Sequence, residues 1–294
     1  MASGAGKTLP KRPYKDGVEL SIIGYGGIVI VGMDEKAGAK SVAASVERGV
    51  NYFDVAPSYF NGEAEIKLGA ALEPYRKNVF LAEKTGKRDA AGAQAELEQS
   101  LKRLRTDHFD LYQFHAVGSM EDAEKILAPG GAAETFMRAK KEGKVRFVGF
   151  SAHHPGAALK LMDALPLDSV LFPVNFAAWE AGGFGPQILE KAKSKGMARL
   201  ALKALALGQW PKDMKREQRP YPKCWYQPVE DRELASLALR FTLTKEVTAA
   251  VPPGDERIYE LALELAGGSL RPLTAKEHDT LVAKAKQVEP VFRA

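Results

Sequence analysis

The sequence predicts a closed (β/α)8 barrel of the TIM type with an extra C-terminal helix, and three observations predict it. Short β-branched or aromatic runs alternate with longer helical patterns along nearly the whole chain, as repeated βα units around a parallel sheet require. No linker interrupts that alternation. Eight such units fit into the 294 residues, which favours a barrel over an open doubly wound sheet, although both share the same alternation.

Taken in order, strands are expected at Leu20 to Gly26, Asn51 to Val55, Val79 to Lys84, Phe109 to His115, Val145 to Ser151, Ser169 to Asn175, Arg199 to Leu205 and Thr248 to Val251. Helices over Glu63 to Leu72, Ala90 to Leu104 and Asp231 to Thr242 place apolar residues at helical spacing, with charges on the opposite face. Gly49, Gly143 and Gly196 fall where helices should end before the next strand, a position that favours a left-handed glycine. Two segments stand outside the repeat. The loop 208–228 is long, aromatic and proline-rich, and reads either as a substrate lid or as a rigid surface loop. Near the end, Thr274 followed by Glu277 resembles a capping box that opens a last helix.

Composition narrows the function. The net charge is +5, but Lys and Arg are interleaved with Asp and Glu, so no long basic field invites nucleic acid. Cys224 is the single cysteine, which rules out an intrachain disulfide and a Cys-rich metal site. No run approaches the roughly 18 to 20 apolar residues of a membrane span, and Met1 to Lys15 lacks the apolar core of a secretion signal. A cytoplasmic enzyme is therefore expected, with residues 1–15 as a flexible N-terminus and residues 16–294 as one barrel domain. Gly4 to Thr8 spells part of a nucleotide-binding loop, yet lacks its first glycine and any preceding strand; it reads as a terminal extension.

In a barrel of this kind the catalytic groups gather at the C-terminal ends of the strands. Asp54, with Tyr59 just beyond, Lys84, His115, Ser151 and Asn175 are the polar groups that follow apolar runs there. Each alone reads as readily as a cap or a packed side chain; four convergent ones make a coherent chemistry. A carbonyl that accepts hydride develops negative charge on oxygen and needs a proton donor and fixed dipoles. Tyr59 is a poor acid at neutral pH unless an ammonium such as Lys84 stabilises its phenolate. Asp54 would hold that ammonium by an ion pair, and His115 would donate a hydrogen bond to the carbonyl.

From about Leu20 to Ala266 the sequence resembles the aldo-keto reductases. The pieces are Asn51-Tyr52-Phe53-Asp54-Val55-Ala56-Pro57-Ser58-Tyr59, Ala82-Glu83-Lys84-Thr85, Asp110-Leu111-Tyr112-Gln113-Phe114-His115 and Val148-Gly149-Phe150-Ser151. The resemblance implies Tyr59 as general acid, Lys84 and Asp54 as its tuning pair, and His115 as the group that orients a small-molecule carbonyl substrate. It also implies a nicotinamide cofactor across the C-terminal face, NADP by first choice and NAD as the alternative. Gly26 and Gly27 would leave the first strand's exit open beside it, and Ser151 and Asn175 would hold its carboxamide.

Two regions depart from the pattern. An aromatic ring commonly follows the seventh strand in this family, whereas here Lys203, with Leu205, occupies that neighbourhood. This resembles bacterial branches, some of which carry a ferredoxin-like extension that is not expected here. After the eighth strand, Pro253, Gly254 and Arg257 take the place of the usual phosphate-binding residues. Arg257 and a helix N-terminus suit a 2′-phosphate, while Asp255 and Glu256 oppose one. Two rivals share the fold: a Schiff-base aldolase with Lys84 as nucleophile, and a nicotinamide-binding sensor or regulatory subunit without appreciable turnover.

Overall fold

The computed structural model describes residues 8–294. In chain order, the elements are β1 (Lys11–Pro13), β2 (Glu19–Ser21), β3 (Tyr25–Gly26), α1 (Glu35–Glu47), β4 (Tyr52–Asp54), α2 (Glu63–Leu72), β5 (Phe80–Thr85), α3 (Ala90–Arg103), β6 (Phe109–Val117), α4 (Met120–Leu127), α5 (Ala132–Lys141), β7 (Val145–Ala152), α6 (Pro155–Ala164), β8 (Ser169–Pro173), α7 (Phe176–Glu180), α8 (Pro186–Ser194), β9 (Ala198–Leu202), β10 (Ala206–Gly208), β11 (Gln227–Pro228), α9 (Arg232–Leu243), β12 (Ala249–Val251), α10 (Glu256–Ala266) and α11 (Ala275–Ala285). Strands β3 to β9 and β12 form one eight-stranded parallel sheet. A parallel bridge between Ile23 and Ala250, with Gly24 N donating to Ala250 O at 2.9 Å, closes it into a barrel.

The helices start where local chemistry directs. Asp34, Asp89, Ser119 and Asp231 each accept a hydrogen bond from a backbone N–H of the first turn, satisfying donors that the helix cannot. Thr274 and Glu277 complete the expected capping box, and α11 lies on α7 and α9. Gly49, Gly143 and Gly196 have φ of +89°, +77° and +63°, the left-handed region that terminates helices cheaply with glycine.

The first expected strand, Leu20 to Gly26, divides in two. Glu19–Ser21 pairs antiparallel with Lys11–Pro13, and Tyr25–Gly26, with the bridge at Ile23, joins the barrel. The expected flexible N-terminus is corrected accordingly for residues 8–15. The β1–β2 hairpin floors the barrel: Tyr14 and Leu20 pack against Tyr52, Phe80 and Phe147 from below, so the segment is held by buried apolar area. Gly4 to Lys7 of the nucleotide-loop resemblance lie outside the described residues.

Lys15 and Lys140 reach Asp168 at 2.6 and 2.7 Å, and Val148 N donates to the same carboxylate at 2.8 Å. Burial alone would raise the Asp168 pKa, but the hydrogen bonds from Lys140, Lys15 and Val148 outweigh it and hold it below the ordinary value. A depressed folded pKa stabilises above the unfolded value of about 3.9, and that stability is lost as pH falls through the folded one. Asp168→Ala is therefore expected to lose about 2 kcal/mol at neutral pH, measured by urea unfolding, and the difference from wild type should shrink below pH about 4. An undiminished difference at low pH would assign the loss to packing instead.

Side-chain parity on the strands divides two layers. Tyr52, Phe80, Leu111 and Phe147 point into the barrel, and Phe53, Leu81, Tyr112 and Val148 face the helices. Further along the inward rows stand Asp54 beyond Tyr52, Lys84 beyond Ala82, His115 beyond Gln113, and Ser151 beyond Gly149. A polar residue at the end of an apolar inward row is therefore delivered to the mouth of the barrel.

Candidate active site

Asp54, Tyr59, Lys84, His115 and Ser151 line one cleft at that mouth, together with Gly26, Leu202, Lys203 and Gly254. Lys84 is 1% exposed and its ammonium donates to Asp54 Oδ1, and to Val55 O at 2.8 Å. Asp54 Oδ2 accepts from Tyr52 Oη at 3.1 Å and Gln113 Nε2 at 3.3 Å. Burial opposes charge on Lys84, but Asp54 and the phenol of Tyr59 overcome it, and the pKa stands above that of an ordinary lysine. Lys84 is accordingly an ammonium throughout the neutral range, not a free amine.

Tyr59 sits in the turn after β4, with the Lys84 ammonium 5.2 Å from its ring centroid. Its ring meets that of His115 edge-on, with centroids 5.6 Å apart. Desolvation raises the Tyr59 pKa, Lys84 lowers it and Asp54 raises it again; the sum lies above the usual 10. The phenol is thus fully protonated at neutral pH. Burial exceeds the help that Lys84 gives the tyrosine as an acid, so Lys84 limits the rise rather than reversing it.

His115 Nδ1 lies 3.3 Å from Ser58 Oγ. Desolvation, then Lys84, His153, Lys203 and Arg88, hold its pKa well below 6.5, so the ring is neutral and carries one N–H donor. Its backbone is pinned as well: Arg88 Nη2 donates to His115 O at 2.7 Å, and Asp122 fixes Arg88 at 3.0 Å.

The candidate cofactor residues separate into three groups. Gly26, Ser151, Lys203 and Gly254 line the cleft. Asn175 caps α7, its Oδ1 accepting from Ala178 N at 2.9 Å, while its buried Nδ2 has no partner. The remaining four do not line it. Leu205 is fully buried in the outer layer, and Pro252 rather than Pro253 faces the cleft. Gly27 serves a close approach, since a Cβ there would stand 2.6 Å from Val55 Cγ2. Arg257 binds Asp255 at 3.0 and 3.1 Å and Pro220 O at 2.6 Å, and lies 4.3 Å from the Tyr221 ring centroid; its guanidinium clamps the long loop to the start of α10.

That loop forms a wall of the cleft through Lys223, Cys224, Trp225 and Tyr226. Trp210 anchors the loop by donating its indole N–H to Cys224 O at 2.9 Å. Phe176 is buried in the outer layer, Phe60 faces Arg216, and Trp179 stacks near Lys245. Tyr52, Gln113, Arg88 and His153 carry no assignment from the sequence, whereas Trp225 and Tyr226 belong to the loop 208–228 that the sequence offers as a substrate lid. Strand parity would have found Tyr52 and Gln113, which share inward rows with Asp54 and His115. Nothing periodic marks Trp225 and Tyr226, because they lie in an irregular loop.

Comparisons with known proteins agree with this geometry. A model described as the aldo/keto reductase family matches residues 23–286. The chain is similar to the uncharacterized oxidoreductase YqkF of Bacillus subtilis, with 25% identity covering 92% of this chain and 94% of that protein. Its fold is similar to that of aldo-keto reductase AKR11C1 from Bacillus halodurans, with a TM-score of 0.72 and 23% identity over 96% of this chain and 98% of that one. It is also similar to an aldo-keto reductase from Klebsiella pneumoniae solved in complex with NADPH, with a TM-score of 0.70 and 20% identity over 97% and 98% of the two chains.

Proposed function

This chain belongs to the aldo/keto reductase family, and from that premise we propose that it reduces an aldehyde or ketone to the alcohol with NADPH, with Tyr59 as the general acid. The observation that carries the reading is the convergence of four groups: a protonated phenol, an ammonium held by a buried carboxylate, and a neutral imidazole face one cleft.

The residues present fit a nicotinamide cofactor. The partnerless buried Nδ2 of Asn175 is a donor awaiting an acceptor, which a carboxamide oxygen would supply, and Ser151 lines the cleft itself. Gly26 and Gly254 give walls without side chains, and the NADPH-bound relative supports the choice of NADP over NAD. Bound there, the cofactor would supply hydride to the carbonyl carbon. This chain's own residues do the rest. His115 donates its N–H to the carbonyl oxygen and orients it. Tyr59 delivers its phenolic proton to that oxygen as charge grows there, and Lys84 stabilises the phenolate left behind. Asp54 keeps Lys84 charged and in place.

The aldolase alternative requires a neutral Lys84 amine, and its engagement with Asp54 and Val55 O, together with a raised pKa, weighs against that. Titration of tryptophan fluorescence with NADPH and NADH, followed by 4-nitrobenzaldehyde while the reduced cofactor's absorbance is followed, tests the proposal. NADPH should bind more tightly and be oxidised. Tight binding without turnover of any aldehyde would favour the sensor reading.

Asn175→Asp gives a sharper check on the cofactor's place. The aspartate keeps an oxygen that caps α7 and replaces the spare donor by a second carboxylate oxygen. NADPH affinity is expected to fall at least about tenfold, the worth of one buried hydrogen bond, and the buried carboxylate should also lower the melting temperature. An unaltered dissociation constant would place the carboxamide elsewhere.

A further inference from the structure

The strand that carries Lys84 changes its hydrogen bonding at that residue. Along the edge of β5 that faces β4, Phe80 N donates to Asn51 O at 2.6 Å, Val55 N donates to Ala82 O at 3.0 Å, and Ala82 is paired with Asp54. Two residues on, the same parallel register would bring Lys84 N to Val55 O. Val55 O instead accepts the Lys84 ammonium at 2.8 Å, and the N–H of Lys84 donates to Oε1 of the preceding side chain, Glu83, at 2.7 Å. A buried amide left without an acceptor is costly, so Glu83 is what frees the carbonyl for the ammonium.

Glu83 itself faces the helices. It shares the outward row of β5 with Leu81, lies beside Tyr112 in register, and is fully buried. Glu65 of α2, also fully buried, is near enough to act on it, and its Oε2 is bound to Arg103 Nη1 of α3 at 2.8 Å. Each carboxyl keeps one buried oxygen without a partner among the described residues, Glu65 Oε1 and Glu83 Oε2. Of the groups around them, Arg103 is held by Glu65, Lys84 by Asp54 from β4, and Glu96 of α3 accepts from Thr85 Oγ1 and Gly86 N at 2.6 and 2.8 Å. Tyr112 on β6 is a neutral phenol, its pKa raised by burial and then by Glu83. Among the described residues no cation is left for a second carboxylate there, and two ionised carboxyls so deeply buried would repel each other. Burial, and then Glu65, hold the Glu83 carboxyl well above the ordinary range, against the opposing pull of the Lys84 N–H and ammonium.

We propose that Glu83 is a positioning residue for Lys84 and works as a neutral carboxylic acid: the Glu65–Glu83 pair holds one proton in the folded protein, Glu83 Oε1 takes the Lys84 N–H, and Val55 O is left to steer the ammonium toward Tyr59. The positioning role rests on the reductase reading; the shared proton does not. Its consequence for stability has a definite sign. The folded chain keeps a proton that the unfolded chain releases above about pH 4.3. That contribution to stability is full below the unfolded value and is lost steadily as pH rises toward the folded one.

The test compares the wild type with Glu83→Gln, whose amide keeps an oxygen for the Lys84 N–H and presents an N–H where the acid carries its proton. Both are unfolded in urea at several pH values. From about pH 5.5 to about pH 7.5 the ratio of unfolding constants, wild type over variant, should rise about tenfold per pH unit, the slope of one proton. A flat ratio means that Glu83 is ionised in the folded protein and overturns the proposal. For the positioning role, Glu83→Leu offers no acceptor to the Lys84 N–H. Its kcat with NADPH and 4-nitrobenzaldehyde should fall about tenfold, the worth of one buried hydrogen bond, with KM and the NADPH dissociation constant little changed, and Glu83→Gln should restore it. An undiminished kcat in Glu83→Leu overturns the positioning role, as does an equal loss of NADPH affinity, which would make Glu83 a general support of the cleft. Absence of turnover by the wild type would count against the reductase reading, and the unfolding ratio would still decide the shared proton.

Discussion

Replacement of Tyr59 by phenylalanine is expected to lower kcat by about a thousandfold, within the 10²- to 10⁴-fold range of a positioned general acid, with the NADPH dissociation constant little changed. The variant removes one oxygen from a ring that otherwise keeps its edge-on contact with His115. The loss therefore measures proton delivery and not the shape of the cleft. A pH profile makes the assignment specific. Because burial holds the Tyr59 pKa above 10, the acid stays protonated across the neutral range, and kcat for an uncharged aldehyde should be level from about pH 6 to about pH 9. His115, held neutral, contributes no inflection near 6.5. A loss of only two- or threefold in Tyr59→Phe would transfer the acid's role to another group of the cleft.

Lys84→Met carries the second large effect, and it divides between activity and stability. Removing the ammonium leaves Asp54 buried, with only the neutral donors Tyr52 and Gln113 on its carboxylate. Breaking one side of a buried pair costs about 3 kcal/mol or more, so the denaturation midpoint should fall with the slope unchanged. Activity should fall about as far as in Tyr59→Phe, since the phenolate formed by proton transfer loses its counter-charge. The double variant distinguishes cooperation from independent roles. If Lys84 acts through Tyr59, Lys84→Met combined with Tyr59→Phe is little worse than either alone. Multiplicative losses would mean that Lys84 serves the reaction by another route. Lys84→Met/Asp54→Asn should recover much of the stability, because the stranded charge is gone, without recovering activity.

The legible part of this protein was local and periodic. Alternation of strands and helices, a period of two along each strand, capping residues and helix-ending glycines depend on sequence neighbours, so the barrel class, α2, the capping box of α11 and the strand-end positions of Asp54, Lys84, His115 and Ser151 followed from the chain alone. What pairs with what did not follow, because it depends on which strands adjoin and how loops fold over their ends. Tertiary packing took Leu20 out of the barrel wall into a floor hairpin, turned Arg257 toward Asp255 and Pro220, withdrew Leu205 from the cleft, and set Trp225 and Tyr226 in its wall. It also set the protonation states: burial keeps the Tyr59 phenol and the His115 imidazole neutral. A residue's type fixes its intrinsic pKa, whereas desolvation and neighbouring charge arise only once distant segments of the chain enclose it.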